Sequence, residues 1–320
     1  MIQQRARPKL LLRWLATLVI LGLVFAFIDG SALVSRLASV PLPFVILALC
    51  ISVVQVMLSA WRWRYTAARL GVGIPMSFAV REYYLASFLN QVLPGGVMGD
   101  VNRAWRHSKL HTASTSERSE NLAAIHAVAL ERLSGQIVLV PVVLLVMAAL
   151  WLGGQFSAQG LQAQVSLSPM YWLLAPILLG SVGWLLFVSG KVSALVRYAR
   201  RLGGDLYRAF AGWQAGIVQL TTSLAVLVTY LLVFVLITTG MGLATDFASL
   251  ALVAGLCLAL LLAMVLPVTV SGWGVREGAA ALLWPAAGLP AEQGVAISVG
   301  YGTLIFLGSL PGALMLLRKS

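Results

Sequence analysis

Apolar runs of roughly 20 residues recur along this chain with almost no charge inside them, and that length limits what it can fold into. As a helix, such a run crosses the hydrocarbon of a bilayer; it is too long for a barrel strand of about 10 residues. In hydrocarbon every backbone N–H and C=O has to pair within the protein, so only helices or a closed barrel span it. The runs lack strict alternation, which removes the barrel. Charged residues make up 10% of the chain, against about 25% in soluble proteins. Ten acids in 320 residues cannot cover a water-facing surface of this size. The expected fold is all-α: a polytopic membrane helix bundle forming one domain over residues 1–320.

The charge is unevenly placed. Arg5, Arg7, Lys9 and Arg13 precede an apolar run from about Trp14 to Ile28, which reads as an uncleaved first helix because no clear small-residue cleavage site follows. A second run, from about Leu42 to Ala60, ends in Trp61-Arg62-Trp63-Arg64-Tyr65, an aromatic and basic interface belt. Further spans are expected at about 122–152, 171–188, 216–237, 247–266 and 295–317. Lys191, Arg197, Arg200, Arg201 and Arg208 form a basic amphipathic stretch. The net charge of +12 would suggest nucleic acid in a soluble protein. Here it sits in short loops, so the positive-inside rule accounts for it first, and anionic headgroups second. This places the protein in the cytoplasmic (inner) membrane with its N-terminus cytoplasmic and no nucleic-acid partner.

Two segments do not read as ordinary spans. Ser77 to Trp105 holds Arg81, Glu82, Asn90, Gln91, Asp100, Asn102 and Arg103 around Leu93-Pro94-Gly95-Gly96-Val97-Met98-Gly99-Asp100. Proline and glycine break a helix there, and basic flanks on both sides suggest a re-entrant hairpin. A second break follows at Leu266-Pro267 through Ser271-Gly272-Trp273-Gly274-Val275-Arg276-Glu277-Gly278. Each has Leu-Pro, then glycine, then a short helix near an acid–base pair. Interrupted segments in both halves point to a transporter site, and an internal duplication is left open.

Ionisable residues in hydrocarbon cost roughly 2.5–3.5 kcal/mol each on insertion scales, so they face protein or water. Glu131-Arg132, Arg276-Glu277 and Arg81-Glu82 are adjacent pairs, and Asp100 and Arg103 are three apart. Sequence neighbours do not face each other on a helix, so adjacent pairs should find partners on other helices. Two readings stand: internal salt-bridge glue, or a polar cavity in which arginines hold phosphate oxygens. Helix N-termini at Pro94–Asp100 and Gly272–Gly274 could add anion-binding N–H groups. No motif for a catalytic centre is present. His107 and His111 read as a solvated loop rather than a metal site, Trp284 and Trp105 as belt anchors, and His126 as buried or interfacial. Cys50 and Cys257 read as small buried hydrophobes. No cofactor is implied.

The run from Phe88 to Ala104 resembles the signature of the flippase-like transmembrane domain of lysylphosphatidylglycerol synthases. Glu131-Arg132-Leu133-Ser134-Gly135 resembles its second motif and Leu266 to Gly278 its third. The likeness is to stand-alone members without the aminoacyl-transferase domain, so lysylation is not carried over. It implies lipid translocation and an even number of spans; the apolar runs alone give seven, and the 279–290 stretch or the long 122–152 helix would supply an eighth, for about seven to eight. Substrate-binding candidates are Asn90, Pro94, Gly95, Gly96, Asp100, Arg103, Glu131, Arg132, Ser271, Gly272, Gly274, Arg276 and Glu277. The partners are membrane lipids with an anionic or zwitterionic headgroup, which a phospholipid or a polyprenyl-phosphate-linked glycan would supply. A glycosyltransferase or homo-oligomer partner is also open. The competing readings are a membrane enzyme or accessory subunit acting on lipid-linked sugars or aminoacyl-lipids, and a scaffold with no ligand.

Overall fold

The computed structural model describes residues 22, 30–93, 96–110, 117–156, 192–244, 246–265 and 269–317. The expected first helix, residue 22 apart, and the 171–188 span lie outside them, as do Pro94, Gly95, Leu266 and Pro267. The described residues are helical apart from turns and short connections. In order they form α1 (Gly30–Ala38), α2 (Leu42–Arg69), α3 (Met76–Val92), α4 (Met98–Lys109), α5 (Glu117–Leu152) and α6 (Val192–Phe210). Then come α7 (Trp213–Gly240), α8 (Phe247–Ala263), α9 (Val275–Ala286), α10 (Ala291–Ser309) and α11 (Pro311–Leu317).

Four helical stretches are long and apolar enough to cross a membrane: Leu42–Arg69, Glu120–Leu152, Trp213–Gly240 and Ala291–Leu316. Their sequences start and stop them. Pro41 opens α2 in extended geometry, and Gly71, at φ 79°, ends it while the Val72 N–H returns to the Ala67 carbonyl. Gly212, at φ 93°, precedes α7. Asp246 caps α8 by accepting the Ser249 N–H at 2.7 Å. The long helices expose leucine and valine, such as Leu144, Leu145, Val228 and Leu232. Apolar residues all round a helix are what lipid requires.

Contacts fix the directions. Gly240, at the end of α7, lies against Val40, Pro41 and Phe44 at the start of α2. At the opposite end Arg69 donates to the carbonyls of Arg208 and Ala211. Helices α2 and α7 are therefore antiparallel. Leu150 of α5 meets Gly255 of α8 near the first end, and Gly300 of α10 meets Ile237 and Met241 there. Met315 of α11 joins the apolar cluster of Trp63, Ala67 and Val72 at the second end. The last helix thus finishes on the same end as Arg69.

Both expected breaks occur. Arms α3 and α4 pack antiparallel, with Gly99 against the Ala86 backbone and Glu82 beside Arg106. This hairpin opens from the Arg69 end. Arms α8 and α9 pack together and open from the other end. The expected 247–266 span is helical as α8, whose 17 apolar residues reach about 26 Å. Helix α9 holds 12 residues and reaches about 18 Å. The two tips touch: a side chain added at Gly96 would sit 3.5 Å from the Ser271 Cα.

Candidate functional site

At the first hairpin the break is organised by one asparagine. Asn90 Oδ1 accepts the Gly99 N–H at 2.8 Å, and its Nδ2 donates to Asp100 Oδ2 at 3.1 Å. Gly99 has no room for a side chain, because a Cβ there would collide with the Ala86 carbonyl. The close approach of the two arms brings Asp100 and Arg103 to the interior face of α4. Arg103 is fully buried, with its guanidinium over the rings of Trp63 and Tyr83 at 4.6 and 4.5 Å.

Asp100 and Arg103 are joined by three other helices. Arg103 Nη2 lies 3.0 Å from both Asp100 Oδ1 and Glu131 Oε2. Arg62 of α2 grips Glu131 Oε1 through Nε at 3.2 Å and Nη2 at 2.6 Å, and its Nη1 donates to Ser223 of α7 at 3.0 Å. Arg132 donates to Asp100 at 2.8–2.9 Å. Three guanidinium groups face two carboxylates, leaving one positive charge uncompensated. Arg103 Nε and Nη1 and Arg132 Nε are buried without an acceptor among the described residues. Leaving a buried polar group unpaired costs about 1–3 kcal/mol, and more if it is charged. The network is open on one side: the Arg132 side chain is 40% accessible, against 12% for Asp100 and none for Glu131 and Arg103.

The second hairpin is built differently. The Gly274 N–H donates to Glu277 Oε2 at 2.6 Å, half of a capping box that closes the start of α9. Arg276 donates to Glu277 Oε1 through Nε and Nη2 at 3.1 and 2.8 Å. Ser298 of α10 joins both, accepting from Arg276 and donating to Glu277 at 2.7 Å each. Arg276 lies between Trp273 and Tyr301, at 5.0 and 5.3 Å, and a side chain at Gly302 would collide with it. Arg276 and Glu277 are both buried. The pair is neutral and closed.

Of the candidate residues, the structure gathers Asn90, Asp100, Arg103, Glu131 and Arg132 into one network. It places Gly96 against Ser271, and Gly272, Gly274, Arg276 and Glu277 around the second tip. Glu131 and Arg132 find partners on other helices, as expected of sequence neighbours. Arg276 and Glu277 pair with each other, because side chains this flexible can fold back when Ser298 and the aromatic walls confine them. The N–H groups expected to await an anion at Gly99 and Gly274 already serve Asn90 and Glu277.

Other expectations change. Arg62 and Trp63 are buried core residues rather than belt anchors, and Trp284 is fully enclosed. His107 is no loop residue: it lies in α4, buried, with Nε2 2.8 Å from the Val72 carbonyl. His126 is buried as expected, with Nδ1 2.7 Å from Asp205. Cys257 is buried but Cys50 is exposed. The sequence did carry a sign of Arg62: Ser52, Gln55, Ser59, Arg62 and Thr66 recur at helical spacing and all are buried. A matching polar stripe on α7 holds Gln219 and Ser223, and Gln219 donates to Thr66 at 2.9 Å.

A bundle with lipid-compatible outer faces and an ion-pair network in its interior defines a multi-pass integral membrane protein with a polar heart. The chain belongs to the family described as Lysylphosphatidylglycerol synthase TM region, which it matches over residues 10–312. No curated protein and no solved structure matches it. Family and architecture together give it a general lipid-handling, flippase-like role.

Proposed function

We propose that this protein moves a lipid between the leaflets of the inner membrane, taking the headgroup into the polar network at the first hairpin while the tails stay in lipid. Both hairpins are read as re-entrant, dipping from opposite faces and meeting at Gly96 and Ser271. Two broken segments inserted from opposite sides are the arrangement that alternating-access carriers build by inverted repetition. Broken backbone at membrane depth is tolerated where it is buried in protein or lines a wet cavity. The cytoplasmic face is assigned to the end that holds Arg64, Arg69, Arg200, Arg201 and Arg208, by the positive-inside rule.

The observation that carries the reading is the open, positively biased network of Arg62, Asp100, Arg103, Glu131 and Arg132. A ligand-free scaffold would gain most by pairing every buried charge, because an unpaired one is strongly destabilising. In this role Arg132 meets the incoming headgroup, and Asp100 and Glu131 hold the arginines in place. The second hairpin supplies a fixed wall, with Arg276 and Glu277 as its internal brace.

The test is reconstitution into liposomes with lipids labelled in one leaflet. The parent chain is expected to speed exchange of at least one phosphate-bearing lipid over protein-free liposomes, and Arg132→Ala to abolish most of the gain. Exchange no faster than in protein-free liposomes, across phospholipids and polyprenyl phosphates, would sink the proposal.

A further inference from the structure

The chemistry of the open side narrows the ligand, given the reading that the first hairpin takes a lipid headgroup. Asp100 has no capacity left for a cation. Its Oδ1 accepts from Arg103 and Arg132, and its Oδ2 from Asn90 and Arg132, at 2.8–3.1 Å. Glu131 is likewise filled by Arg62 and Arg103 and has no accessible surface. The unused capacity is all on the donor side. Arg132 is the accessible member of the network, and Arg103 keeps two buried N–H groups without an acceptor among the described residues. A guanidinium offers a planar fork that fits phosphate oxygens.

We propose that the site selects a phosphodiester headgroup carrying one negative charge, held by Arg132, and rejects a headgroup whose net charge is positive. The surplus of one positive charge matches one phosphodiester. An aminoacylated phosphatidylglycerol, the kind of lipid in the family's name, would bring an ammonium to a site with no free carboxylate. Its cationic group would face Arg132, and like charges at close range repel. On this reading the chain handles the acidic lipid and not its aminoacylated product.

Binding, rather than transport, is the readout. The full chain, purified in detergent, is titrated with short-chain phosphatidylglycerol, phosphatidylethanolamine and lysyl-phosphatidylglycerol, and occupancy is read by native mass spectrometry. Phosphatidylglycerol is expected to bind tightest and the lysyl lipid weakest. Arg132→Gln is expected to weaken phosphatidylglycerol binding by about tenfold or more, the loss of one charged hydrogen-bonding group. Glycerophosphoglycerol, the same headgroup without tails, is expected to compete weakly. Equal competition overturns a lipid source. Equal or tighter binding of the lysyl lipid, or no loss in a folded Arg132→Gln protein, overturns the proposal. Selective phosphatidylglycerol binding without leaflet exchange would sink the translocator reading and leave this one standing.

Discussion

Asp100 and Glu277 hold matching places, each in the first turn of the second arm of a broken hairpin. Glu277 is spent locally: it caps its own helix and neutralises the arginine beside it. Asp100 leaves the capping of its helix to Asn90 and reaches outward, to an arginine on its own arm and another on α5. The second hairpin ends up neutral and enclosed, with α10 supplying Ser298 and Tyr301 to its charged pair. The first depends on α2, α5 and α7, keeps an excess positive charge and stays accessible. On the proposed reading the contrast separates a strut from a headgroup site, although the two sequences use the same residue types.

The comparison breaks most easily at Arg276. Arg276→Ala leaves Glu277 buried without its counter-charge and is expected to cost about 3–5 kcal/mol, read as a lower unfolding midpoint in detergent. A midpoint like the parent's would mean that the second hairpin is no brace. Gly99→Ala tests the packing of the first hairpin. The added methyl meets the Ala86 carbonyl and forces the arms apart, for an expected loss of about 1–3 kcal/mol. Arg132→Gln should do the reverse of Arg276→Ala, changing stability by about 1 kcal/mol or less while leaflet exchange collapses. A large stability loss there would make Arg132 part of the glue instead.

The smallest expected effect lies outside the hydrocarbon. Ser249 donates its backbone N–H to the Asp246 carboxylate, which lowers that group below the usual aspartate range. Its contribution is present above the unfolded value of about 3.9 and is lost as the pH falls through the lower folded value. The parent should therefore lose a small increment of melting temperature on acidification that Asp246→Asn lacks. Equal acid sensitivity in both proteins would remove this cap from the account of where the second hairpin starts.

The helices and breaks were legible because lipid imposes length and polarity on a span, and proline with glycine marks where backbone pairing fails. The identities of Asp100, Arg103, Glu131 and Arg132 were legible for the same reason, since charge within an apolar run needs a partner. Arg62 was misread because its aromatic and basic neighbours also fit an interface belt. Only the helical phase of Ser52, Gln55, Ser59 and Thr66 sets it inside. Ser298 carried no signal at all: one hydroxyl in an apolar helix becomes a partner only when Arg276 and Glu277 arrive across the packing. The different closure of the two hairpins was equally hidden, since it depends on which way each guanidinium turns.

Gly312 lies so close to the Tyr84 carbonyl that no side chain fits between them, although 228 positions separate the two. Helix α3 therefore lacks one of its walls until the ribosome has made residue 312. Throughout synthesis the hairpin that bears Asp100 must wait without that contact, and its packing is completed by seven late residues, Pro311–Leu317. A chain halted at residue 310 would insert its earlier helices yet leave that face bare to lipid or to the quality-control machinery.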